Sequence, residues 1–198
     1  MTATAPGPDD VMHGQSRERR LPGDVDMWVM ILGDLFFFGC YFVTYMVFRA
    51  LNLTEFSAAQ QHLSVGTGVL NTVVLLTSSL FAALAVIAVR EGALAAAQRH
   101  LLAAAGCGVV FILVKAYEWH TELSAGHTVS EEFFGFYFVL TGVHLVHVVF
   151  GLICLGVAVR GLRSAERPRP EHTEQAALFW HMVDLLWVVI FAMLYLMR

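Results

Sequence analysis

The sequence predicts an all-α integral membrane protein, a bundle of five transmembrane helices. Of its 198 residues, 58% are hydrophobic and only 14% are charged, and the mean hydropathy is +0.66. These values are typical of membrane proteins rather than of soluble domains. The hydrophobic residues form five blocks, each long enough for a helix that crosses about 30 Å of hydrocarbon. Helices are favoured, since an open sheet would leave backbone groups unpaired in lipid.

The first 26 residues are polar and rich in turn-forming residues, which predicts a disordered cytoplasmic tail. The transmembrane domain is expected to occupy residues 27–198, with spans at about 27–48, 65–89, 100–121, 133–159 and 176–197. A cleavable signal peptide is a poor fit, because the first apolar block begins late and exceeds a signal core of about 7–15 residues. The first span is therefore expected to remain in the mature protein.

Positive charge predicts the orientation of the bundle. With five spans, nine arginines fall on the side of the N-terminus, and only Arg49 and Arg198 fall on the other. The positive-inside rule then places the N-terminus in the cytoplasm and the C-terminus outside.

The first two spans carry polar residues at helical spacing. In the first, Asp34 is followed by Tyr41 and Tyr45, so that face of the helix is expected to point into protein. Asp34 could relay protons, or it could be a protonated structural group bonded to a neighbouring hydroxyl. In the second span, Asn71 and Ser78 belong to a small polar stripe that is typical of helix packing.

The third and fourth spans add ionisable groups. Lys115 and Glu118 are three residues apart on a helix, close enough to neutralise each other. In one interpretation they form a self-contained ion pair, with Lys115 reaching toward the headgroups. In the other, Glu118 faces a cleft and anchors a lipid headgroup or a neighbouring subunit. His144 and His147 lie at the midpoint of the fourth span.

The fifth span contains His181 and Asp184, where a carboxylate could fix the tautomer of an imidazole. Facing histidines could alternatively ligate haem b, with His181 opposite His144 or His147. This hypothesis is disfavoured because the first two spans contain no histidine and His181 lies nearer the cytoplasmic side. A transporter is disfavoured because no proline interrupts any span. The three cysteines fall in different spans, so no close-spaced pair predicts a metal site.

Four motifs from residue 23 onward resemble, in order and spacing, those of the cytochrome c oxidase subunit III family in its short five-helix bacterial form. They are Leu70-Asn71-Thr72 with Leu75 to Ser79, Lys115-Ala-Tyr-Glu118-Trp119, Phe136-Tyr137 through Thr141-Gly142-Val143-His144-Leu-Val-His147, and Trp180-His181-Met-Val-Asp184-Leu-Leu-Trp187.

The resemblance implies an accessory, non-redox subunit of a respiratory haem-copper oxidoreductase in the bacterial cytoplasmic membrane. Haem and copper would lie in the partner, catalytic subunit I, while this chain would hold structural phospholipids in a helix cleft and support proton uptake. Asp34 matches the family's intramembrane carboxylate. Proton-relay candidates are Asp34, His181 and Asp184. Candidates for lipid or subunit contact are Lys115, Glu118, His144, His147 and Asn71. No metal ligand, catalytic residue or nucleic-acid partner is expected in this chain.

Three departures from the family pattern bear on the partner enzyme. Gly33-Asp34 stands where Ser-Glu is usual, Lys115 where Gln is common, and Leu145 where Gly is usual between the two histidines. The Gly33-Asp34-Leu35 segment resembles the subunit III-like branch associated with nitric oxide reductases. The resemblance therefore leaves open whether the partner reduces oxygen or nitric oxide.

Overall fold

The computed structural model describes residues 25–163 and 170–197, which form helices and contain no strand. The helices are α1 (Val25–Leu51), α2 (Leu53–Gln60), α3 (Val65–Arg90), α4 (Leu94–Ser124), α5 (Glu132–Arg163) and α6 (Pro170–Phe191), which continues as a π-helical turn (Ala192–Leu196). All but α2 are long and apolar enough to cross a membrane. This confirms the predicted all-α bundle of five transmembrane helices. Residues 1–24 of the predicted tail lie outside the described residues.

Short connections make the long helices alternate in direction. We call the end of the bundle that carries α2 the α2 end, and the other the opposite end. The α3–α4 turn at the opposite end is tight, and Gly92 adopts a φ of +76° there, a conformation that costs glycine little. At the α2 end, the Ser64 hydroxyl accepts a hydrogen bond from the Thr67 amide and caps α3. The predicted placement of the termini relative to the membrane stays a prediction.

Helix α6 occupies the centre of the bundle. It packs against α3 on one side and α5 on the other, and α4 packs against both of these helices. In the most apolar window of each span, 67% of the residues are buried in α6 but only 17% in α1. The bundle is therefore a four-helix block of α3 to α6, with α1 attached along its side.

One tryptophan of α6 fixes the spacing of the block. The Trp180 indole donates to the Ser78 hydroxyl at 2.9 Å, and Ser78 in turn donates to the Ala104 carbonyl at 2.8 Å. The same ring lies on two glycines: a Cβ added at Gly108 would lie 2.7 Å from it, and one at Gly151 only 2.6 Å. Glycine at these two positions lets α4 and α5 approach the indole closely, as small residues do in membrane bundles.

The π-helical turn explains the position of α2, a helix that sequence reasoning did not predict. A wider turn leaves backbone carbonyls without the usual helical partners. The Gln60 amide of α2 donates to the carbonyls of Met193 and Leu194, at 3.1 and 3.2 Å. From α1, the Tyr45 hydroxyl donates to the Met193 carbonyl and Arg49 donates to that of Met197. Side chains of α1 and α2 thus provide hydrogen bonds for the backbone carbonyls at the C-terminal end of α6.

The Trp180 contact predicts the effect of adding a single methyl group to α5. Gly151→Ala should destabilise the folded chain by about 1–3 kcal/mol, because the new Cβ overlaps the indole ring. Gly156→Ala on the same helix is the matched control, since its Cβ would meet no atom within 4 Å. Thermal unfolding in detergent, followed by circular dichroism, measures both. Equal unfolding midpoints for the two variants would contradict the packing described here.

Candidate functional site

Four polar side chains from α4, α5 and α6 meet inside the bundle toward the α2 end. The Lys115 ammonium donates to Glu118 Oε2 at 3.1 Å, to the Tyr137 hydroxyl at 3.1 Å and to the Tyr195 hydroxyl at 2.7 Å. The Tyr195 hydroxyl also donates to the second oxygen of Glu118. We call these four residues the Lys115 cluster. Each hydrogen of the ammonium and each oxygen of the carboxylate has a partner.

The rings around the cluster complete the environment of the ammonium. The nitrogen lies 4.6 Å from the centre of the Tyr137 ring and 5.2 Å from that of Trp187. Both distances suit a cation–π contact, which strengthens when water is excluded. Lys115 is 1% exposed and Glu118 is 5% exposed. The expected ion pair is therefore present, but the expectation that Lys115 reaches toward the headgroups is wrong, because its three hydrogen-bond partners lie inside the bundle.

Glu122 lies one turn beyond Glu118 and is also buried. The predicted third span ends at about residue 121, but α4 continues to Ser124 and carries Glu122 into the bundle. Its carboxyl group lies near His62 and His127, whose rings lie 5.1 Å apart. The α2 end thus contains a second group of ionisable residues close to the Lys115 cluster.

His144 is fully buried between α5 and α6. Its Nε2 lies 3.2 Å from the Val183 carbonyl, and its ring contacts the rings of Phe111 and Trp187. A carbonyl only accepts hydrogen bonds, so Nε2 carries the proton in this contact. His144 thereby ties α5 to the backbone of α6.

His181 and Asp184 do not bond to each other, although their spacing favoured it. His181 Nδ1 instead lies 2.7 Å from the Ser79 hydroxyl of α3. Neither oxygen of Asp184 has a hydrogen-bond partner among the described residues, and its side chain is 3% exposed. Ser79 of α3, and not Asp184, is therefore the hydrogen-bonding partner of His181.

Asp34 and His147 come together between α1 and α5. Asp34 Oδ2 lies 3.6 Å from His147 Nε2, and both side chains are partly exposed. His147 Nδ1 lies 2.8 Å from the Val143 carbonyl and so carries a proton. A further proton between the two residues could sit on either Nε2 or the carboxylate. Both residues are candidates from the sequence, but their contact was not predicted.

Asn71 is fully buried in α3, and its amide oxygen and nitrogen have no hydrogen-bond partner among the described residues. The nearby Thr72 hydroxyl instead accepts a hydrogen bond from the Trp187 indole at 3.1 Å. Asn71 therefore lies inside the block of α3 to α6, away from the surface of this chain.

Tyr137, Tyr195 and Ser79 are the polar partners that sequence reasoning missed. Each contributes a hydroxyl from a helix other than that of the residue it binds. Helix direction was the available signal, because residues near the α2 end of one span can meet only residues near that end of another. Tyr195 and Lys115 satisfy this condition.

His144, His147 and His181 each contact a different protein group: the Val183 carbonyl, the Val143 carbonyl with Asp34, and the Ser79 hydroxyl. Among residues 25–163 and 170–197, no group of three or more His, Cys, Asp or Glu is arranged to hold a metal ion. The arrangement can stabilise the bundle, and at Asp34 and His147 it can hold a transferable proton.

Known proteins that are similar to this chain are named as subunit 3 of an oxidase. Cytochrome c oxidase subunit 3 of Synechocystis sp. is 30% identical over 159 residues, covering 79% of this chain and 67% of the relative. Probable cytochrome c oxidase subunit 3 of Mycobacterium tuberculosis is 27% identical and covers 94% of this chain and 93% of the relative. Cytochrome bo(3) ubiquinol oxidase subunit 3 of Buchnera aphidicola is 25% identical over 176 residues, with 86% and 84% covered.

The family model described as cytochrome c oxidase subunit III matches residues 23–198, which include all five long helices. The match confirms the family that the four motifs indicated. This multi-pass membrane protein belongs to the cytochrome c oxidase subunit III family and is a subunit III of a haem-copper oxidase.

Proposed function

We propose that the chain is a non-redox subunit that stabilises the catalytic subunit of a respiratory haem-copper oxidoreductase, binds phospholipid and supports proton uptake. Family membership over residues 23–198 is the observation that carries the proposal. The relatives named above are subunits of cytochrome c and ubiquinol oxidases, which supports a respiratory partner. The bacterial relatives support a place in the bacterial cytoplasmic membrane.

The contacts of the histidines support a non-redox role. His144 and His147 both use a ring nitrogen on a backbone carbonyl, and His181 binds Ser79. The bonds of His144 and His181 join neighbouring helices, whereas the bond of His147 to Val143 lies within α5. Electron transfer through haem and copper would then take place in the partner.

The Lys115 cluster serves stability in this proposal. Lipid contact at Lys115 or Glu118 would require exchange of hydrogen bonds that are already complete, in a site that is almost fully buried. The cluster joins α4, α5 and α6 near the α2 end, while Trp180 joins α3, α4 and α5 farther along. Together they make a rigid support for a neighbouring subunit.

Phospholipid would lie beside α1. The contacts that tie Tyr45 and Arg49 to the end of α6 are at the α2 end. Toward the opposite end, an open groove of about 250 Å³ lies between α1 and α5, lined by Met30, Asp34, Val146, His147, Phe150 and Phe179. Its walls are mostly apolar, as an acyl chain requires.

Proton uptake would use the Asp34 and His147 pair at this groove. Since Nδ1 of His147 is bonded to a carbonyl, only Nε2 and the carboxylate exchange the next proton. A pair with two proton positions is a suitable relay station. Under the predicted orientation, the groove lies in the cytoplasmic half of the bundle. His181 and Asp184 of α6 remain candidates for the same path.

A partner that reduces nitric oxide is the second candidate. The observation that favours it is the Gly33-Asp34-Leu35 segment. An oxygen-reducing and a nitric oxide-reducing partner would pack against the same helices. The contacts within this chain therefore do not distinguish the two enzymes.

Purification in mild detergent tests the assignment. The chain should co-purify with a large subunit that contains haem, and the chain expressed alone should show no haem absorbance. A reduced-minus-oxidised haem b spectrum from the isolated chain would instead support a haem anchor. Oxygen and nitric oxide consumption by the purified complex identifies the substrate of the partner.

Replacing the carboxyl group of Asp34 tests the relay. In the assembled complex, Asp34→Asn should slow proton uptake and shorten the turnover lifetime severalfold, because an amide does not carry the transferable proton. Asp34→Glu should retain most of both. Asp26→Asn, on the exposed start of α1, is the matched control. Proton uptake and lifetime that stay unchanged in Asp34→Asn would exclude the relay.

Removing the charge of Lys115 tests the structural role of the cluster. Lys115→Met should destabilise the chain by about 3–5 kcal/mol, because Glu118 is left as an unpaired buried charge. Adding Glu118→Gln should recover part of this loss. Arg90→Met, which removes an exposed ion pair with Glu174, should change stability little. A small effect of Lys115→Met in thermal unfolding would show that the cluster is dispensable.

A further inference from the structure

Three polar side chains line an open groove between α3 and α6. The groove has a volume of about 420 Å³, and Ser79 of α3 lines it together with His181 and Asp184 of α6. His181 is partly exposed, whereas the side chain of Asp184 is only 3% exposed. His181 is therefore the outer member of this group, and Asp184 is the inner one.

Ser79 lies next to both titratable groups. Its hydroxyl is 2.7 Å from His181 Nδ1, and the same hydroxyl interacts with the carboxyl group of Asp184. The contact with Asp184 lacks full hydrogen-bond geometry while Ser79 is bonded to His181. His181 and Asp184 are three residues apart, a rise of about 4.5 Å along the helix axis. One side chain from the facing helix can therefore serve both in turn.

The adjacent Ser78 shows what a structural serine does in this bundle. Its hydroxyl donates to the Ala104 carbonyl and accepts from the Trp180 indole. Neither partner changes its proton, since a carbonyl only accepts hydrogen bonds and an indole only donates them. The partners of Ser79 are different, because an imidazole and a carboxyl group each exist with and without a proton. The position of Ser79 thus allows a proton to pass between two titratable residues.

We propose that Ser79 is the bridge of a proton path from His181 to Asp184. This inference rests on the proposed function, because the path serves proton uptake by the complex. It adds Ser79 as a positioning residue and gives the three residues an order. His181 takes up the proton at the groove, Ser79 passes it on, and Asp184 holds it inside the bundle.

The transfer moves one proton inward and leaves each group with its normal bonds. His181 begins with its proton on Nδ1 and receives a second on Nε2 from a hydrated proton in the groove. The Nδ1–H bond breaks as a bond to the Ser79 oxygen forms, and the former hydroxyl proton of Ser79 passes to the Asp184 carboxylate. The products are a neutral imidazole with its proton on Nε2, a hydroxyl and a protonated carboxyl group. This final state leaves no buried charge, which suits an intramembrane site.

Infrared spectroscopy of the full chain in detergent tests the bridge. The carbonyl stretch of protonated Asp184 is the band that Asp184→Asn removes, and its shift in heavy water reports exchange of that proton. Ser79→Ala should slow the exchange severalfold, because the bridging hydroxyl is lost. Ser79→Thr keeps a hydroxyl and should restore the exchange. Thr77→Val on the same helix is the matched control and should have no effect, since the Thr77 hydroxyl is bonded to the Val73 carbonyl.

A double variant tests whether His181 and Ser79 belong to one path. His181→Gln keeps a hydrogen-bonding group but no transferable proton, and it should slow the exchange at Asp184 about as much as Ser79→Ala does. In a single path, the double variant should be no slower than the slower single variant, whereas independent effects would multiply. A structural role of Ser79 would instead lower the unfolding midpoint of Ser79→Ala without this non-additive pattern, and that result would overturn the bridge.

The outcomes separate this inference from the proposed function. If Ser79→Ala leaves the exchange unchanged, or if Asp184→Asn removes no carbonyl band, the inference fails, while co-purification of the haem-containing subunit still supports the proposed function. In the assembled complex, Ser79→Ala should slow proton uptake and Ser79→Thr should not. Unchanged uptake in Ser79→Ala would overturn the assignment of the path to proton uptake. A chain that exchanges through Ser79 but purifies with no partner subunit would overturn the proposed function alone.

Discussion

Hydrocarbon offers no hydrogen bonds, so a polar side chain inside a span must find its partner in protein. The Lys115 cluster meets this requirement in full, with Glu118, Tyr137 and Tyr195 drawn from three helices. The hydroxyls of Tyr137 and Tyr195 reach Lys115 only if both face the inside of the bundle at the level of Lys115. The cluster therefore fixes how α4, α5 and α6 are rotated about their axes and how far they are shifted along them. The positions of Trp180 and His144 are consistent with the same rotation of α6.

Hydrophobic length predicted the five spans because it depends only on composition along each segment. Lys115 and Glu118 were predicted to pair because their spacing is local. Tyr195, 80 residues from Lys115, was not predicted, since its role depends on how helices are arranged. Local spacing also misled: His181 and Asp184 suit a pair, but Ser79 from α3 binds His181. Helix α2 and the π-helical turn are too short for a periodic signal.

The bundle divides into a tightly joined block of α3 to α6 and a lightly attached α1. Within the block, the described polar groups mostly bind one another and support packing. The partly exposed pair of Asp34 and His147 lies instead at the boundary between α1 and the block. Under the proposed function, a change at Asp34 would alter proton uptake without unfolding the bundle, whereas a change at Lys115 would affect the fold first.

The central position of α6 has a consequence for biosynthesis. Among the described helices this one is translated after the others, yet it carries Trp180, which joins α3 to α5, and Tyr195, which completes the Lys115 cluster. Until it enters the membrane, the ammonium of Lys115 lacks one hydrogen-bond partner, and Gly108 and Gly151 face an unfilled space. Without α6 the contacts of Trp180 that join α3 to α5 are missing. A chain that stops before residue 180 would therefore leave the Lys115 cluster incomplete.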